Sequence, residues 1–133
     1  MTTSATRTRR IRRTAIIIGG IAAAGIVALP GVANADTYVA QRLSPGGSQC
    51  ASQYAGYQAR TEGTASNAGA KFRVYKDGAQ IAASANPTTS GFTAEFRTSW
   101  GNFPGPGYYT ICADNKQATN TFVTLRVRTD AEI

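Results

Sequence analysis

Apolar and polar positions alternate with period two along almost all of residues 36–133. In AKFRVYK (70–76), Phe72 and Val74 fall on one side and Lys71, Arg73 and Tyr75 on the other. In FTAEFRTS (92–99), Phe92, Ala94 and Phe96 oppose Thr93, Glu95 and Arg97. In NTFVTLRVRT (120–129), Val123, Leu125 and Val127 oppose Thr124, Arg126 and Arg128. Successive side chains of a strand point to opposite faces, so each stretch predicts a half-buried strand. TYVAQRL (37–43) and YYTICA (108–113) read as further strands. AQIAAS (79–84) is the return strand of a hairpin, because Asp77-Gly78 before it is a strong two-residue turn signal. Residues 49–65 form a longer, less regular extended stretch, with Gly56 as a candidate bulge. SPGGS (44–48), SNAG (66–69), ANPTTSG (85–91) and DNKQAT (114–119) separate the strands as turns or loops. WGNFPGPG (100–107), with Pro104, Pro106 and three glycines, cannot be regular structure. No window after Ala35 holds a helical period. The pattern predicts an all-β domain, an antiparallel β-sandwich of about seven strands, since one apolar face per strand suits two sheets packed face to face.

The first 35 residues break this pattern. TRTRRIRR (6–13) carries five arginines, TAIIIGGIAAAGIVAL (14–29) is uncharged and mostly apolar, and PGVANA (30–35) ends in the small-x-small triplet Ala33-Asn34-Ala35. That order is a secretory signal peptide, with cleavage expected between Ala35 and Asp36. A permanent anchor is the alternative, but the 16-residue run is shorter than the roughly 20 needed to span a membrane. The arginine pairs at 9–10 and 12–13 raise twin-arginine export beside the general secretory route. Removing the signal takes five arginines and no acid from a chain of 14 basic and 7 acidic residues. The remainder, 9 basic and 7 acidic, has net charge +2 instead of +7. The basic balance therefore belongs mostly to the signal, and no long basic stripe is left for a nucleic acid. The use of 11 Arg against 3 Lys, with many alanines and a long basic leader, resembles exported proteins of the actinobacteria.

The mature chain, 36–133, is one small domain, expected to be a monomer with no membrane contact after processing. Its two cysteines, Cys50 and Cys112, are expected to pair in an oxidising compartment; free thiols or an intermolecular bridge are the alternatives. A cysteine near the second strand, GYYTICADN (107–115) around the second cysteine, and a polar turn into a last strand resemble an immunoglobulin-like sandwich. Three features depart from that family. Thr110, not a tyrosine, stands two residues before Cys112; Trp100 follows the fifth strand rather than lying in the third; and an inward Ile111 turns Cys112 outward. The bridge is then expected to pin a flanking segment rather than cross the core.

The chain has no histidine, which removes Ser-His and Cys-His nucleophile pairs and any histidine-ligated metal. A carboxylate pair such as Glu62 with Glu95 could serve glycosidic acid–base work, but nothing in the sequence brings the two together. No phosphate loop and no calcium-loop spacing occurs, so the expectation is a non-enzyme without metal or cofactor. Residues 100–115 hold the only Trp, one Phe, two adjacent Tyr, two of five Pro and one of two Cys. In one reading Tyr109 and Ile111 belong to the core while Phe103 or Trp100 caps the end of the sandwich. In the other, Trp100, Phe103 and Tyr108 are presented on a stiffened loop as binding residues, since rings held at little entropic cost anchor proteins and stack on sugars. The reading adopted is a secreted, non-enzymatic binding module for an extracellular protein or cell-wall glycan. A small exported inhibitor or antimicrobial protein, and a structural component of the envelope or spore surface, are the alternatives.

Overall fold

A computed structural model describes residues 35–67 and 69–133; the signal peptide expected over residues 1–35 lies, but for Ala35, outside the described residues. Eight strands follow one another: β1 (Asp36–Leu43), β2 (Ser48–Ala55), β3 (Gln58–Ala65), β4 (Lys71–Lys76), β5 (Ala79–Ala83), β6 (Gly91–Arg97), β7 (Gly107–Asp114) and β8 (Thr121–Thr129). Short 3-10 turns occupy Thr98–Trp100 and Asp130–Glu132, and no α-helix occurs among the described residues. The strands form two four-stranded antiparallel sheets, β1-β8-β3-β6 and β2-β7-β4-β5.

The eighth strand comes from the irregular stretch 49–65, which is two strands rather than one. Gly56 is not a bulge; it lies at the corner where the chain leaves β2 in one sheet and enters β3 in the other. The topology also departs from the immunoglobulin layout, in which several hairpins of consecutive strands share a sheet. Here only β4 and β5 pair as neighbours in sequence, and every other connection crosses between sheets. This is the strand order of a jelly roll. Period two could not separate the two layouts, because each strand shows one apolar face in either.

The facing assignments from the alternation hold. Phe72, Val74, Tyr109, Ile111, Val123, Leu125 and Val127 are fully buried, and Phe92, Ala94 and Phe96 pack against them from the edge strand β6. The β4–β5 hairpin turns through Asp77 (φ 49°) and Gly78 (φ 87°), the paired positive φ of a type I′ turn. The central strand β3 looked irregular because its inward positions are small: Ala59, Thr61, Gly63 and Ala65. The Phe72 ring, from the opposite sheet, fills the space this leaves. A Cβ on Gly63 would sit 2.5 Å from Phe72 Cε1. Phe72 in turn stacks parallel to Phe92, with centroids 6.2 Å apart.

Cys50 and Cys112 stand directly opposite each other in the β2–β7 ladder and form a disulfide. Ala51 and Ile111 beside them point into the core, so the bridge lies on the outer face of its own sheet and does not join the two sheets. It closes a loop across 62 positions, which in the chain-entropy picture stabilises the domain by about 4 kcal/mol. Three outcomes are expected in denaturant titrations. Gly63→Ala, which drives a methyl group into the Phe72 ring, should cost about 1–3 kcal/mol, and Leu125→Ala about 2–5 kcal/mol. Replacing both cysteines by alanine should lower stability by about 4 kcal/mol, and a change below about 1 kcal/mol would remove the disulfide from the stabilising terms.

Candidate functional site

The connection from β6 to β7 carries the candidate residues across one end of the sandwich. Trp100 closes the 3-10 turn that follows β6, and Gly101, at φ 76°, ends the turn by donating its N–H to Thr98 O at 3.0 Å. Asn102 then clamps the turn to the strand: its Oδ1 accepts the Arg97 N–H at 2.8 Å and its Nδ2 donates to Glu95 O at 3.0 Å. Thr98 ties the same turn to the β2–β3 corner, its hydroxyl donating to Tyr57 O at 2.6 Å. The Arg97 guanidinium lies 5.1 Å from the Trp100 ring centroid and is itself held by Glu95 and by Gln58 Oε1. A guanidinium over an indole is a favourable cation–π arrangement. Trp100 is nonetheless 60% exposed. The turn that bears the exposed ring is thus fixed by strand and corner, and the ring itself lies beside a cation.

The corner has its own support. The Asp130 carboxylate accepts the backbone N–H groups of Gly56 (3.0 and 2.9 Å), Tyr57 (2.8 Å) and Gln58 (3.3 Å), while Gln58 Nε2 donates back to Asp130 O at 2.8 Å. A carboxylate that collects several backbone donors makes strong, charge-assisted bonds. Composition alone makes Asp130 an unremarked residue near the terminus; the fold places it at the β2–β3 corner, to which the turn that bears Trp100 is tied through Tyr57 O.

Phe103 turns the other way. It is half-buried and stacks on the fully buried Tyr109, with centroids 5.5 Å apart and planes 21° apart. Phe103 is therefore the cap of the core end. Tyr109 donates its hydroxyl to Gly105 O at 2.7 Å, which pins the Pro-Gly loop from below. Burial pushes its phenol up to about 12, so it remains a donor across the neutral range.

Tyr108 alternates with Tyr109 and faces outward from β7, 59% exposed. It sits opposite Tyr54 of β2, the two rings edge to face with centroids 5.3 Å apart. Its N–H donates to the Asp77 carboxylate at 2.9 Å, and this bond holds the Asp77 carboxyl below its usual range. A Cβ at Gly107 would collide with that carboxylate. The structure thus divides the three candidate residues: Trp100 beside the first sheet, Phe103 in the core, Tyr108 on the outer face of the second sheet. All three belong to the same end of the sandwich, where Tyr54 and Tyr57 add two more exposed rings. Sequence reasoning passed over Tyr54, although it shares the outward parity of Cys50 and Ser52; Tyr57 had no periodic signal because it sits in a corner.

Glu62 and Glu95 share Arg60 on the outer face of the first sheet. Arg60 Nε lies 2.7 Å from Glu62 and 3.7 Å from Glu95, Arg128 reaches Glu62 at 3.1 Å, and Arg97 pairs with Glu95. Asp36 and Arg126 extend the row with a two-point contact at 3.0 and 2.6 Å, and the guanidinium holds the Asp36 carboxyl below its ordinary range. The carboxylates form part of an ion ladder along a sheet face. The chain matches no protein-family model and no curated protein.

Tyr109 generates a pH-dependent expectation. Its phenol rises from 10.0 to about 12 on folding. Between these values the unfolded chain loses the proton and the folded one keeps it, so this stabilising contribution is complete below pH 10 and lost as pH rises toward about 12. Tyr109→Phe should flatten the fall in the denaturation midpoint over that window, and should cost about 1 kcal/mol at neutral pH through the hydrogen bond to Gly105. An unchanged slope in the variant would assign the alkaline loss to other groups.

Proposed function

We propose that the protein is a secreted, non-enzymatic binding module that engages a partner outside the cell through the aromatic end of its sandwich. The observation that carries this reading is Trp100, largely exposed on a turn that Asn102 and the Thr98–Tyr57 contact hold, with the Arg97 guanidinium over its ring. Ordering a side chain on binding costs roughly 0.5–1.5 kcal/mol. A ring already ordered in the free protein avoids that cost, and tryptophans of this kind dominate binding free energies. The extracellular setting rests on the arginine-rich, apolar and small-residue start of the chain, and the disulfide is compatible with it.

The test is capture from culture fluid and from isolated cell wall, followed by affinity measurement on the partner recovered. Trp100→Ala should weaken binding by about 2 kcal/mol, roughly 30-fold. It should change stability by less than about 1.5 kcal/mol, against about 3–5 for a buried aromatic. Emission from this single Trp should be red-shifted and open to quenchers. A variant that binds like the wild type, or that unfolds, would defeat the reading.

A further inference from the structure

The two outer sheet faces differ in chemistry. The first carries the ion ladder, in which guanidinium and carboxylate groups pair with one another. The second presents ordered rows across its strands, because residues 50, 52 and 54 of β2 lie opposite 112, 110 and 108 of β7. The row nearest the aromatic end is Tyr54 with Tyr108, 47% and 59% exposed and locked edge to face. The next is Ser52 with Thr110, with Tyr75 of β4 continuing it on the same face. The Ser52 and Thr110 hydroxyls bond to each other, which leaves one hydroxyl proton of the pair to donate outward. The third row is the disulfide, flanked by Arg73, whose charge is matched by Asp114.

The ring row and the hydroxyl row thus stand side by side on one sheet face, the two rings at 74° to each other, and the bridge cross-links the two strands that bear them. A pyranose chain offers the complement, apolar C–H faces for the rings and hydroxyl groups for the polar row. Arg73 pairs with Asp114 and Lys76 with Asp77, while Lys71 donates to Ser84 O and is the one cation of β4 without a carboxylate, so β4 carries a single unmatched charge and no charged cluster, which favours an uncharged polymer over a polyanion. A peptide partner would more commonly use a sheet edge, where unpaired backbone groups are available; these rows lie on a face.

We propose that the outer face of the second sheet, built on Tyr54 and Tyr108 with Ser52 and Thr110 behind them, is a stacking platform for a polysaccharide chain. This rests on the binding-module reading and names a ligand class for the Tyr54–Tyr108 face, beside the Trp100 turn that carries that reading.

The experiment is a depletion isotherm of the purified protein on protein-free cell-wall glycan and on chitin. The wild type should be depleted by at least one of these, and soluble oligosaccharides of the same sugar should release it. Tyr54→Ala/Tyr108→Ala should weaken binding at least tenfold, and Tyr54→Trp/Tyr108→Trp, which keeps the rings, should retain it. Tyr38→Ala, an exposed tyrosine on the other sheet, should bind as the wild type does, and circular dichroism checks that each variant is folded. No depletion by either glycan, or equal depletion of the Tyr54/Tyr108 double alanine variant, would overturn the proposal. If the protein then still captured a protein partner in a Trp100-dependent way, the binding-module reading would survive without the glycan platform. Loss of both would remove both.

Discussion

The ring of Phe72 lies against the backbone of Gly63, and the two sheets can face each other only because nothing else occupies that space. β3 is the inner strand between β8 and β6, and its inward positions are Ala59, Thr61, Gly63 and Ala65. Such a strand contributes little apolar area of its own. It makes room for large side chains from its neighbours, and Phe72, Leu125, Ile111 and Tyr109 take that room. Interiors at native packing density tolerate neither a void nor an added methyl group. The pairing of one large ring with one absent side chain therefore fixes how β3 and β4 meet across the core.

From that core, order is passed outward to the end that carries the exposed rings. Tyr109 is buried, supports Phe103 by stacking and holds Gly105 by its hydroxyl. Asp130 gathers the N–H groups of the β2–β3 corner, the corner carbonyl of Tyr57 accepts from Thr98, and Arg97 covers the indole of Trp100. The hydrogen bonds among these links satisfy polar backbone that a corner between sheets would otherwise leave unpaired. They hold the turn from which the exposed indole projects, and Arg97 lies over its ring. Support of the corner and presentation of the ring are thus one set of interactions.

The disulfide belongs to this logic as well. A bridge between sheets would reinforce the core, which Phe72 and Gly63 already define. Placed on the outer face between directly opposed residues, it fixes β2 to β7 at the site of the Tyr54–Tyr108 and Ser52–Thr110 rows. Its contribution to stability comes through the long loop it closes.

The alternation of apolar and polar residues determined by itself which residues face inward: Phe72, Val74, Tyr109, Ile111, Val123, Leu125 and Val127 needed no tertiary information, because a strand's period of two assigns its faces locally. The Asp77-Gly78 turn and the outward direction of Cys112 were legible for the same reason. The tertiary structure alone decided the jelly-roll order, the split of residues 49–65 around Gly56, the inward turn of Phe103 and the work of Asp130. It also decided that Tyr54 meets Tyr108 and that Glu62 and Glu95 share Arg60. These are relations between segments far apart in the chain. Strand pairing is set by which faces and edges fit together in space, and a local pattern of side chains carries no record of its partner.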